Sequence, residues 1–222
     1  MNKNLQKLRG ETIKMEISGK KFFFGTLVDT GIDVVVIFNG KDFVYLPIIH
    51  IQSCKVNVTE NEEISLPVDS PGIEAEEELS LRKTLLSAKG MFTEIYVTGN
   101  QPLHGYITKV MNNYFEFYSP VYKTMYIPLF HLKWIIPYTD NQTPYGLSNK
   151  DLPVHPSNLS LARTFDVQVE KLVGSLIIFN IGENPNFIGQ INKIEDNFVE
   201  LITAREEPVY LNLHHIRTVH LP

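Results

Sequence analysis

Apolar and polar residues alternate in short runs along most of this chain. In "TIKMEIS" (12–18), Ile13, Met15 and Ile17 alternate with Thr12, Lys14 and Glu16, which predicts a half-buried strand. Gly19, which follows, suits a hairpin turn. "FFFGTLVD", "DVVVIF" and "DFVYLP" then predict three more strands. "FIGQINKI", "FVELIT" and "PVYLNL" predict the same series near the C-terminus. A helical period shows only in front of such series. "FDVQVEKLVG" sets Phe165, Val169, Leu172 and Val173 on one helical face ahead of Gly174, and "EEELSLRKTLLSAKG" ends at Gly90, a suitable C-terminal cap. The start of the chain offers only a stub around Leu5 and Leu8.

The series occurs three times. "YLPIIHIQSC" (45–54), "YIPLFHLKWI" (126–135) and "YLNLHHIRTV" (210–219) each have Tyr first, an aliphatic residue second and His sixth, so Tyr45, Tyr126 and Tyr210 correspond, as do His50, His131 and His215. Glycines keep step. Gly10, Gly90 and Gly174 each precede a strand-like run, at offsets of 80 and 84, and Gly25, Gly105 and Gly189 each follow 15 residues later. Further glycines, Gly19, Gly99 and Gly182, lie between them. Several landmarks holding nearly the same offsets identify a triplication. Glycine inside a strand marks a bulge or sharp bend.

A short helix followed by five bent strands is the plan of small SH3-like and Sm-like barrels. The expected fold is therefore mainly β, with three tandem barrels and short helices preceding the repeats. The boundaries are residues 1–56, 80–138 and 165–222 for the units, with an acidic linker at 57–79 and a Pro/Asn-rich linker at 139–164. Units of this size are marginal alone, so packing of the three together is expected.

Each recurrent histidine falls where the fourth strand gives way to the fifth, on an expected tight helical turn. A metal site needs several ligands converging on one point. No second His, Cys, Asp or Glu repeats nearby, and His214 belongs to the third unit alone. The expectation is an imidazole that packs at the barrel end and hydrogen-bonds a backbone carbonyl, with surface recognition or a metal as the sharper alternatives. Cys54 aligns with Ile135 and Val219 and should be a small buried hydrophobe. Trp134, present in the second unit only, is expected to be a partly exposed contact.

Composition narrows the function classes. Hydrophobic residues make up 43% and charged residues 20%, too apolar for overall disorder. The net charge of −5 argues against a nucleic-acid partner. Eight of the 25 acids lie in 57–79, a segment without Lys or Arg, which leaves the units slightly basic. That run reads as a solvated linker, or as a docking segment for a basic partner. A single cysteine excludes an intrachain disulfide. No signal-peptide pattern opens the chain, and runs such as Val34–Phe38 are too short to span a bilayer, so synthesis in the cytoplasm without a membrane partner is expected. No P-loop, nucleophile elbow, HExxH or CxxC occurs, so neither an enzyme nor a cofactor is expected.

The three Tyr-x-x-x-x-His segments, with the hairpin-and-glycine stretches ending at Gly25, Gly105 and Gly189, resemble the N-terminal triplicated region of the spore coat protein B family of Bacillus-type bacteria. The resemblance implies a structural protein of the outer spore coat. It would be made in the mother-cell cytoplasm and assembled through contacts with other coat proteins and possibly with itself. The Ser/Lys/Arg-rich tail that the family can carry has no counterpart in these residues, so no role of that tail carries over. The alternative is an Sm-like RNA-binding module. The cation such a module carries directly after its tyrosine is missing here, where Leu-Pro, Ile-Pro and Leu-Asn follow Tyr45, Tyr126 and Tyr210.

Assembly is expected through unpaired strand edges. Pro47 and Pro128 cannot donate to a ladder and should interrupt pairing, whereas the third unit has Asn212 there. The expected assembly edge is thus Tyr210, Asn212, Ile216 and Arg217.

Overall fold

The computed structural model describes residues 3–56, 78–97, 101–138, 144–146 and 160–222. Most of the two expected linkers, and Gly99, lie outside these residues. The first unit contains α1 (Lys3–Gln6), β1 (Thr12–Ile17), β2 (Lys21–Thr30), β3 (Val34–Phe38), β4 (Phe43–Pro47) and β5 (Ile51–Val56). The second contains α2 (Leu81–Ser87), β6 (Phe92–Tyr96), β7 (Leu103–Val110), β8 (Tyr114–Ser119), β9 (Lys123–Pro128) and β10 (Trp134–Pro137). The third contains α3 (Phe165–Glu170), β11 (Leu176–Phe179), β12 (Ile188–Glu195), β13 (Phe198–Thr203), β14 (Pro208–Asn212) and β15 (Val219–His220).

Within each unit the strands pair antiparallel in the order fourth, third, second, first, fifth. The three units pack together, as expected of units this small, and they do so by sharing one sheet. Strand β10 pairs with β4 and β15 pairs with β9, so the strands of the described residues form one open sheet of 15, running from β14 to β5. The fold is mainly β, an open antiparallel sheet with few helices. The fusion follows from the edges: each unit exposes the outer side of its fourth and fifth strands, and unpaired backbone groups there are satisfied by the neighbouring unit.

The alternation in the sequence sets which face is buried. Ile13, Met15 and Ile17 are fully buried while their neighbours are half exposed. The buried apolar residues form three clusters, one under each unit, and each draws on an adjoining unit. The first includes Tyr96, Trp134 and Ile136 from the second unit, the second includes Val34, Val36 and Tyr45 from the first, and the third includes Tyr114 and Tyr126 from the second. Trp134 is therefore not an exposed contact. Its ring stacks on Tyr96 at 4.1 Å, and its Nε1 donates to Glu94 Oε1 at 3.0 Å. Val173 also departs from expectation: Phe165, Val169 and Leu172 are buried, but Val173 is exposed. Helix α3 ends at Glu170, so Val173 lies past the regular helix whose period the sequence suggested.

The bulge expected at Gly25, Gly105 and Gly189 lies three residues further on. Register shifts between Leu27 and Asp29, Ile107 and Lys109, and Ile191 and Lys193, which makes Val28, Thr108 and Asn192 the inserted residues. The glycines serve a different need, a close approach to the facing strand. A Cβ at Gly25, Gly105 or Gly189 would lie 2.2, 2.0 or 2.3 Å from the carbonyl oxygen of Phe38, Tyr118 or Ile202.

Candidate functional site

The joint between consecutive units is built twice from equivalent residues. In the first joint Ile135 of β10 faces Tyr45 of β4; in the second Val219 of β15 faces Tyr126 of β9 and His220 faces Met125. The helix of the incoming unit docks beside this ladder. Asp33 Oδ1 accepts from the Leu81 N–H at 2.7 Å, at the start of α2, and Asn113 Oδ1 accepts from the Phe165 N–H at 2.8 Å, at the start of α3. Such a contact satisfies one of the donors a helix leaves open. Two loop bonds repeat as well, Ile32 N–H to the Leu79 carbonyl (2.9 Å) and Asn112 N–H to the Arg163 carbonyl (3.1 Å).

The histidines take part in these joints. The chain forms a 3-10 turn at Ile48–His50, Leu129–His131 and Leu213–His215, as the sequence suggested. From the second turn, His131 Nε2 donates to the His214 carbonyl of the third unit at 3.0 Å. From the first, His50 lies beside the equivalent Phe130 carbonyl of the second unit, short of hydrogen-bond geometry, with its Nδ1 3.1 Å from Ser18 Oγ. His215, in the third unit, meets no carbonyl of another unit among the described residues. It is exposed and lines a shallow groove with Leu211, Asn212 and Arg217. No group of three or more His, Cys, Asp or Glu among the described residues could hold a metal.

Burial favours the neutral form of His50, His104, His131 and His220. Desolvation, partly offset by the His214 carbonyl, lowers the pKa of His131 from 6.5 to about 4. Desolvation also lowers those of His50, His104 and His220. Each folded pKa lies below its unfolded value, so the unfolded chain takes up these protons first. Stability should therefore be lost as pH falls from 6.5 towards about 4. Thermal unfolding followed across that range should show a falling midpoint, and His131→Gln should flatten part of the slope. An unchanged midpoint would show that the histidines are not held neutral.

The other repeated positions are placed as follows. Gly10, Gly90 and Gly174 each have positive φ and donate from N–H to the equivalent carbonyls of Leu27, Ile107 and Ile191. Tyr45 and Tyr126 are buried at the joints, at 8% and 2% exposure, whereas Tyr210 on the end strand β14 is 60% exposed. Asn212 ends that strand, and its Oδ1 accepts from the His214 N–H. Ile216 and Arg217 do not lie on the edge. Ile216 is buried, the Arg217 N–H donates to Asn180 Oδ1, and the strand that follows, β15, is paired on both sides. The expected interruption by proline is also corrected, because β4 and β9, which carry Pro47 and Pro128, are the strands that pair with the next unit. Each proline falls at the strand end, two residues past the tyrosine that meets the neighbour, so the missing N–H is not needed there. Cys54 on β5 is half buried, which raises its thiol pKa, while its counterparts Ile135 and Val219 are fully buried.

Sequence reasoning missed one polar feature. Glu116 is fully buried under the second joint, where its Oε1 accepts from Thr108 Oγ1 at 2.7 Å and lies 3.9 Å from Lys109 Nζ. The third unit repeats the set on its outer face with Asn192, Lys193 and Glu200. The signal in the sequence is the 84-residue offset of all three pairs.

Comparison with known proteins agrees with a repeated architecture. A family model described as the YwrJ third domain matches residues 164–219. The protein YwrJ of Bacillus subtilis (strain 168), described as uncharacterized, is 42% identical over 224 residues, spanning 99% of this chain and 100% of that protein. Spore coat protein B of the same organism is 25% identical over 142 residues, which cover 64% of this chain and 35% of that protein.

Proposed function

Since the chain belongs to the YwrJ family and is distantly similar to a spore coat protein, we propose that it is a structural component of the bacterial spore coat, acting by protein–protein assembly. One observation carries this reading. Among the described residues, the sheet ends in two strands, β5 and β14, that are each paired on one side only, on surfaces whose counterparts are buried within the molecule. A protein that presents such edges is suited to adding strands from other chains. The strand order within each unit supports a reading of the units as SH3-like or Sm-like barrels, opened far enough to share a sheet. The role is structural rather than catalytic, in the outer coat, after synthesis in the mother-cell cytoplasm. No helix among the described residues is long and apolar enough to cross a membrane.

The test is the fate of a tagged chain in a spore-forming host. It should be made during sporulation and recovered in the coat extract of washed spores. Uniform production in growing cells, with none in the coat fraction, would overturn the proposal. If the purified chain instead bound RNA with an affinity that fell steeply with salt, the Sm-like alternative would replace it.

A further inference from the structure

We propose that a second copy of this chain continues the sheet, with its β5 pairing antiparallel to β14 of the first, so that chains join head to tail. This deepens the assembly reading above and names the partner. The internal joints supply the template. At each, the fifth strand of one unit pairs with the fourth strand of the unit before it. Among the described residues, two such joints leave one unused fourth strand, β14, and one unused fifth strand, β5. These are the two halves of the same joint, and a second copy brings the missing half to each.

The equivalent positions fix the register. Cys54 corresponds to Ile135 and Val219, which face Tyr45 and Tyr126, so Cys54 of one copy should face Tyr210 of the other. Lys55 should then face Val209, as His220 faces Met125.

Exposure follows the same logic. Val34 and Tyr114 are fully buried by the unit that docks on them, while their counterpart Phe198 is 44% exposed. On the other side, Leu85 and Val169 are fully buried at the joints, while their counterpart Leu5 in α1 remains half exposed. Apolar side chains that are buried twice and exposed once are what an unfilled third joint requires. Two further elements are in place. His215 stands where His131 reaches a carbonyl of the next unit, and the matching acceptor would be the carbonyl of Ile49, a residue 74% exposed at the far end of the chain. Charge is also complementary: exposed Lys3, Lys7 and Lys55 flank the β5 side, and exposed Asp196, Glu206 and Glu207 flank the β14 side.

A joint between unlike surfaces does not close on itself in a dimer. It produces a ring if the rotation per chain closes and a filament if it does not. Either product satisfies the proposal, whereas a symmetric two-chain dimer does not.

Cys54 makes the register testable in the full chain. With a single cysteine, oxidation can give at most a disulfide dimer. Tyr210→Cys adds a second thiol opposite Cys54, and facing residues of an antiparallel pair lie about 4.5–5.5 Å apart at Cα, within reach of a disulfide. Mild oxidation should therefore yield a ladder of trimers and longer species. Val209→Cys, whose side chain points to the other face of the strand, should not. In parallel, sedimentation of the unmodified chain should show association that rises with concentration and is weakened at least about tenfold by Tyr210→Glu. A Tyr210→Cys chain that stops at dimers, or a Val209→Cys chain that ladders equally, would overturn the proposal. The coat reading is tested separately. A chain that fails to ladder yet is recovered in the coat assembles by another surface, and one that ladders yet is absent from the coat self-associates for another purpose.

Discussion

Gly105→Ala is expected to destabilise the protein by ~3 kcal/mol or more, the largest loss from any single-methyl addition in the sheet. The added Cβ would sit 2.0 Å from the Tyr118 carbonyl oxygen, 2.9 Å from the Tyr118 carbonyl carbon and 3.0 Å from Phe117 Cε1. Two of these three atoms are backbone on the facing strand, β8, and cannot swing aside as a flexible side chain could. Relief requires β7 and β8 to separate where Tyr106 pairs with Tyr118 and Ile107 with Phe117. Phe117 is fully buried in the second core, so the shift would also loosen packing there.

Gly90→Ala provides the contrast. Gly90 has φ of +80°, and no atom lies within 4 Å of a Cβ built there. The cost is then only that of holding alanine in a left-handed conformation, about 1–2 kcal/mol. Denaturant unfolding of both variants should rank them in that order. A Gly105→Ala chain as stable as Gly90→Ala would mean that the strands give way more easily than their close approach implies.

The two classes of glycine show what the sequence could and could not disclose. Their recurrence was visible as fixed offsets, and so were the strands, because one buried face forces period-two alternation. The reason for each glycine was not visible: an approach of backbone to backbone leaves no mark beyond the glycine itself, and the bulge it suggested sits at Val28, Thr108 and Asn192. The histidine turns were legible as turns, but the carbonyl that His131 meets belongs to another unit, 83 positions away. The joints were hidden for a similar reason. Val34, Tyr114 and Phe198 are apolar in every unit, whether a neighbour covers them or not, so the pattern cannot say which edge is filled. Trp134 has no counterpart in the other units, and its ring packs into the core of the unit before it, so no repeat position signals its burial.

Tyr114→Ala is expected to cost ~3–5 kcal/mol and to release the third unit first. The ladder between the second and third units is thin, since β15 has only Val219 and His220, each paired once to β9. Side chains must therefore carry most of the coupling. Tyr114 is fully buried in the third core, where its ring meets Tyr126 and Phe165 edge-on at 6.1 and 6.0 Å. Its hydroxyl donates to the Ala162 carbonyl at 2.7 Å and lies 3.3 Å from Gln168 Oε1, which accepts from the Ala162 N–H. Truncation empties the ring site and leaves that carbonyl without its donor, so the cavity and the lost hydrogen bond act together. Tyr114→Phe separates the two: it keeps the ring and should cost about 1–2 kcal/mol. Hydrogen exchange gives the readout specific to the joint. In Tyr114→Ala the amides of β11 to β15 should lose protection while those of β1 to β4 keep theirs, because the first joint rests on Tyr45, Trp134 and Tyr96 instead. Uniform loss of protection across all three units would show that the sheet unfolds as one body and that Tyr114 supports the whole of it rather than this joint.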